Sequence, residues 1–141
     1  MSAAPRQKAW QKYAWILVVA NGVIWLLFAL VDVLFGGNLF QSHSGYPAAA
    51  VTDLDMAQRV LGAFGIPAAV LQIGVGMKAF KSGQKWAWFA LLSVPVATAI
   101  NSYLDVRAGV FIGLAVILFI LYSGLLVLGL LLSIRSFFPA K

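Results

Sequence analysis

The chain has 141 residues and a net charge of +6; 62% of its residues are hydrophobic, 10% are charged, and the mean hydropathy is +0.94. A soluble domain needs far more charge to cover its surface, whereas long apolar runs are what a bilayer selects. The absence of cysteine excludes disulfides, thiolate metal sites and thiol redox chemistry.

The first apolar stretch, 13–35, follows the basic residues Arg6, Lys8 and Lys12. It is longer than the roughly 7–15 residues of a signal-peptide core, so it is expected to be a retained first helix. Asn21, Trp25, Phe28 and Asp32 share one face of that helix. Such a stripe either packs against a neighbour or lines a slot for an amphipathic small molecule or lipid.

The loop that follows, 36–51 (GGNLFQSHSGYPAAAV), holds glycines and Pro47, which argue against a continuous helix. His43 is a candidate lid residue within it. Thr52 with Asp55 three residues on resembles a capping box, so the second helix is expected to begin near Asp53.

The second stretch, 56–80, carries Gln58, Gly62, Gly65, Ala69, Gln72 and Gly76 at alternating spacings of four and three. In lipid, helices associate through close van der Waals contact and through polar groups that find partners, so this seam marks a buried face. A tight turn, KSGQK at 81–85, leads to the third stretch, 86–105, which offers Ala87, Ala90, Val94, Ala97 and Asn101 as a similar line. Pro67 and Pro95 fall inside helices 2 and 3, where each removes a backbone hydrogen bond and favours a kink. The fourth stretch, 109–134, has Gly109 and Gly113 at its start and is otherwise apolar nearly all round. It is expected to face lipid or a partner protein.

Each stretch reaches the roughly 20 residues that cross a hydrocarbon core. The expected fold is therefore all-α: one antiparallel bundle of four transmembrane helices. Arg6, Lys8, Lys12, Lys78, Lys81, Lys85, Arg135 and Lys141 fall on one side without an acid among them. The positive-inside rule makes that side cytoplasmic and puts both termini there, in a bacterial inner membrane.

At about 1.5 Å per residue, Asp32, Arg59 and Asp105 reach a common level about 25–28 Å from the inner boundary, with Asn101 one turn below. An ionisable group near hydrocarbon is tolerable when paired. The expectation is an outer-rim cluster of Asp32, Arg59 and Asp105, acting as an ion-paired clamp or as a polar ligand site with Asn101, His43 and Trp25. Lower down, Asn21 and Gln72 both lie about 9 Å from the inner markers, so they are expected to hydrogen-bond to each other or to a nearby carbonyl.

No phosphate-binding glycine loop, metal-ligand spacing or nucleophile–base pair is visible, so neither a catalytic residue nor a cofactor nor a metal is expected. Nucleic acid is not an expected partner. The leading expectation is a non-catalytic accessory or scaffold subunit that packs against membrane lipid, other membrane subunits or copies of itself. The alternative is a small membrane enzyme or binding protein for a lipophilic ligand, such as a lipid, a sterol-like molecule or a quinone. An ion path through an oligomer ranks last, because the inner half offers only Asn21 and Gln72.

The stretch from Arg59 to Trp88, which runs on through FKSGQKWAWFAL, resembles small bacterial four-helix membrane proteins with a basic-glycine-basic turn leading into Trp-Ala-Trp. The overall plan is similar to that of DoxX-like proteins. The resemblance implies the four-helix bundle and an association with quinone or redox membrane systems, and it carries over no catalytic residue.

Overall fold

The computed structural model describes residues 9–36, 48–107 and 114–139. These form four helices: α1 (Ala9–Phe35), α2 (Ala48–Val75, continued by a π-helical turn at Gly76–Phe80), α3 (Lys85–Arg107) and α4 (Leu114–Phe137). No strand occurs among the described residues. Three helical segments are long and apolar enough to cross a membrane: Tyr13–Phe35, Val51–Phe80 and Ile120–Phe137. The described apolar part of α3, Lys85–Ile100, is shorter.

Helix boundaries depart from the sequence expectation at one instructive place. α2 begins at Ala48, not near Asp53, which puts Thr52 and Asp55 inside the helix. Three consecutive alanines directly after Pro47 are strong helix formers and outweigh the capping-box pattern. Asp55 is thereby released to pair with a side chain further along its own helix.

Two glycines take the left-handed conformation that ends helices. Gly36 has φ +59°, and its N–H donates to the Asp32 carbonyl at 2.9 Å, the simple left-handed cap at the end of α1. Gly83 has φ +77°; its N–H donates to Phe80 O at 3.0 Å while Gln84 N–H reaches back to Ala79 O at 3.0 Å. That pair of bonds is a Schellman motif, and it closes the KSGQK turn. The widened turn before it, where Lys81 N–H bonds Gly76 O at 3.2 Å, has no counterpart in the sequence pattern.

The chain packs as two compact units, Gly22–Leu71 on the one hand and Met1–Asn21 with Gln72–Lys141 on the other. In the first unit α1 and α2 approach closely at glycines. A Cβ added to Gly62 would lie 2.6 Å from Ala29 O and 2.9 Å from Val33 N, and one on Gly65 would lie 2.9 Å from Ala29 Cβ. Backbone meets backbone there, and only glycine leaves the room.

In the second unit, Ala14, Val18, Ala79, Phe80, Ala87, Leu91, Leu126, Leu130 and Phe137 form the buried core. α4 contributes a defined face rather than an indifferent apolar cylinder: Leu126, Gly129, Leu130, Ser133 and Phe137 are buried at helical spacing. Gly129 makes this possible, since a Cβ there would meet Ala14 O at 3.2 Å. The line expected on α3 is corrected in part. Ala87 is buried, but Ala90 and Ala97 are exposed, and Leu91 takes the inward place one turn after Ala87. The α4 start at Gly109 and Gly113 lies outside the described residues.

Gly62→Ala is expected to destabilise the fold by about 1–3 kcal/mol, because the added methyl meets main chain that cannot rotate away. Gly74 has nothing within 4 Å of an added Cβ, so Gly74→Ala should be neutral or stabilising by about 0.5–1 kcal/mol. Unfolding of both variants in detergent micelles measures the contrast; equal stabilities would refute the close crossing at Gly62.

Candidate functional site

Two polar assemblies stand out, one in each unit. The first is built on Asn21 and Gln72, which are 0% and 4% exposed. Gln72 Nε2 donates to Asn21 Oδ1 at 2.6 Å and to Val18 O at 3.2 Å, and Asn21 Nδ2 donates to Tyr122 O at 2.5 Å. The depth match therefore brings together the residues it paired, and it adds a third helix, α4, through a main-chain carbonyl. Tyr122 enters through its main-chain carbonyl, and neither that carbonyl nor that of Val18 can be named from the sequence, because any residue supplies one. Gly76 helps to hold the arrangement: a Cβ there would lie 3.1 Å from Val18 Cγ1.

The network is incomplete on one side. Gln72 Oε1 and the Ser123 hydroxyl are buried and have no hydrogen-bond partner among the described residues. Ser133, also buried, donates to Leu130 O at 2.8 Å in its own helix, the usual way for a serine in an apolar setting to be satisfied.

The second assembly surrounds Arg59. Its Nε donates to Asp55 Oδ2 at 2.9 Å, and its Nη1 donates to Val33 O at 2.8 Å and Leu34 O at 3.3 Å. These two carbonyls belong to the last turn of α1, where no intrahelical donor is left for them. A guanidinium at that end also complements the negative pole of the helix dipole. Gly36 leaves space for the pair, since a Cβ on it would overlap Asp55 Oδ1 and lie 3.1 Å from Arg59 Nε.

The expected cluster joined Arg59 to Asp32 and Asp105; the ion pair found among the described residues is with Asp55, one turn earlier on α2. The physical reason is geometric. Asp55 stands four residues from Arg59 on the same helix, the spacing that favours such pairs, and it is aligned for Arg59 by the early start of α2. Asp32 is partly buried and packs by its Cβ against the glycine gap, 2.8 Å from where a Gly62 Cβ would stand. Asn101 and Asp105 lie on α3, but their side chains are outside the described residues, as is the whole of His43.

The stripe on α1 splits between roles. Trp25 Nε1 lies 3.6 Å from the position of a Gly65 Cβ, so the indole faces the α1–α2 contact. Phe28 instead lines a shallow groove of about 250 Å³ with Ile24, Leu27 and Val31. All four lining residues are apolar and come from α1, and Asp32 is not among them. Among the described residues no group of three or more histidines, cysteines and carboxylates has the arrangement of a metal site.

A double-mutant cycle on Asn21→Ala and Gln72→Ala tests the amide pair. Side-chain hydrogen bonds between membrane helices couple by about 0.6 kcal/mol on average and up to about 1.7 kcal/mol, and a value in that range is expected here. Coupling indistinguishable from zero in reversible unfolding would show that the two amides do not bond.

Comparison of the chain with protein-family models, with curated proteins and with solved structures finds no match in any of the three.

Proposed function

We propose that the chain is a four-span integral membrane protein of the bacterial inner membrane, with both termini cytoplasmic, acting as a non-catalytic accessory or scaffold subunit. The observation that carries this reading is the inversion of its burial. Asn21, Gln72 and Ser133 are among its most buried side chains, while Leu27, Leu34, Leu61, Phe64, Leu71, Ile120, Leu121 and Leu131 are all more than half exposed. So many large apolar side chains exposed together are unfavourable in water; in hydrocarbon the distribution is the expected one, because the exposed leucines are solvated by lipid and the amides find partners inside.

The two polar assemblies support a structural role. The Arg59 guanidinium is committed to Asp55 and to the end of α1, and the amides of Asn21 and Gln72 are committed to each other and to main chain. The exposed faces that remain are apolar, which fits lipid, a further membrane subunit or a second copy of the chain. The resemblance in plan to DoxX-like proteins accords with this reading and brings no catalytic assignment with it.

The lack of cysteine makes topology directly testable. Single cysteines at Ser82 in the α2–α3 turn and at Ser44 in the first loop are to be challenged in intact cells with a membrane-impermeant maleimide. Ser44→Cys should label and Ser82→Cys should label only after permeabilisation; the opposite pattern would invert the topology. Release of the wild-type chain from membranes by alkaline carbonate would overturn the integral-membrane reading itself.

A further inference from the structure

The unit formed by Met1–Asn21 and Gln72–Lys141 ends in an aromatic block. Phe80 stacks on Phe137 with ring centroids 4.9 Å apart, and Phe138 meets Trp88 at 5.4 Å and Phe89 at 5.6 Å, both edge to face. These contacts tie the π-helical end of α2, the start of α3 and the end of α4 to one level. Trp88 adds a hydrogen bond from its Nε1 to Leu130 O at 3.1 Å. The exposed cationic side chains described around that level are Lys78, Lys81, Lys85 and Arg135.

Two of these cations are positioned rather than free. Lys81 Nζ stands 4.5 Å over the Trp15 ring, and Lys85 Nζ stands 5.8 Å over the Phe138 ring. An ammonium held against an aromatic face keeps its remaining N–H donors turned away from the ring. Among the described residues, none of the four is held in an ion pair. The one aspartate or glutamate within this unit is Asp105, some twenty residues along α3 from Lys85, about 30 Å of helix.

From this arrangement we infer that the Lys78–Lys81–Lys85–Arg135 surface is a binding site for the headgroup of an anionic phospholipid. The inference rests on the proposal that the chain is a membrane protein. Charge complementarity selects an anion, and the aromatic block selects its source. Indole and phenyl rings at a helix end settle at the headgroup level of a bilayer, so cations fixed over those rings are carried to the depth of lipid phosphates. A soluble anion would have no use for the apolar flanks beside the site, where Trp86 and Phe89 are exposed; lipid chains would lie along them.

The test uses the full chain in mild detergent, offered phosphatidylglycerol and phosphatidylcholine in equal amounts, with retained lipid read by native mass spectrometry. Phosphatidylglycerol should be retained preferentially, and the triple variant Lys78→Gln/Lys81→Gln/Lys85→Gln should lose that preference by about tenfold or more, given the affinity that each basic side chain near an anionic surface supplies. Inorganic phosphate at matched concentration should not compete. Equal retention of the two lipids by the wild-type chain would overturn the inference without reference to any variant. Undiminished preference in the triple variant would do so too, and displacement by inorganic phosphate would reassign the site to a soluble anion. A chain that resists carbonate extraction yet shows no lipid preference would sink this inference and leave the membrane reading standing.

Discussion

The amide–amide hydrogen bond between Gln72 and Asn21 is the interaction around which the larger unit is organised. It lies in an interior otherwise made of Val18, Leu126 and Leu130, where an unsatisfied amide would cost several times what a satisfied one contributes. That asymmetry fixes rotation: α1 and α2 must turn Asn21 and Gln72 toward each other, and α4 must present the Tyr122 carbonyl to Asn21 Nδ2. The small residues beside the pair then become necessary. Gly76 against Val18 and Gly129 against Ala14 bring the backbones near enough for the short bonds to form.

The smaller unit solves the same problem with charge. α1 ends at Phe35 and is capped by Gly36, which leaves the Val33 and Leu34 carbonyls without a donor inside the helix. Arg59 reaches two of them while Asp55 balances its charge. One arginine thereby caps a helix from outside it, and the closeness that allows this is set by Gly62 and Gly65 against Ala29. In both units, then, glycine determines distance and one polar side chain determines orientation. The outward faces of the helices take no part in either task, which leaves them free to carry large exposed apolar side chains such as Leu61, Phe64 and Leu131.

Much of this is legible in the residues alone. The seam from Gly62 to Gly76 can be read because small side chains at alternating spacings of four and three, within an apolar helix, mark the face on which a second helix comes close. Asn21 and Gln72 can be matched because depth along a straight helix is arithmetic. Arg59 is a different case. Its nearest level-mates by depth are Asp32 and Asp105, yet the acceptors it finds are Asp55 and two carbonyls. Carbonyls leave no trace in side-chain identity, and the displaced start of α2 is hidden by a Thr52–Asp55 pattern that mimics a cap. Gly129 and Ser133 escape for another reason: single small residues in a run of leucines make no pattern until the neighbouring helices are present.

The sequence by itself determined that the chain is helical, how far its apolar segments run, where its cations collect and which amides share a level. These follow from composition, period and rise per residue, all local properties. Only the tertiary structure decided which acceptor Arg59 takes, which face of α4 is buried and how Trp15 and Phe138 come to lie beneath two lysines. Those outcomes depend on main-chain groups and on gaps left by glycine, and neither exists as a feature until two helices are brought together.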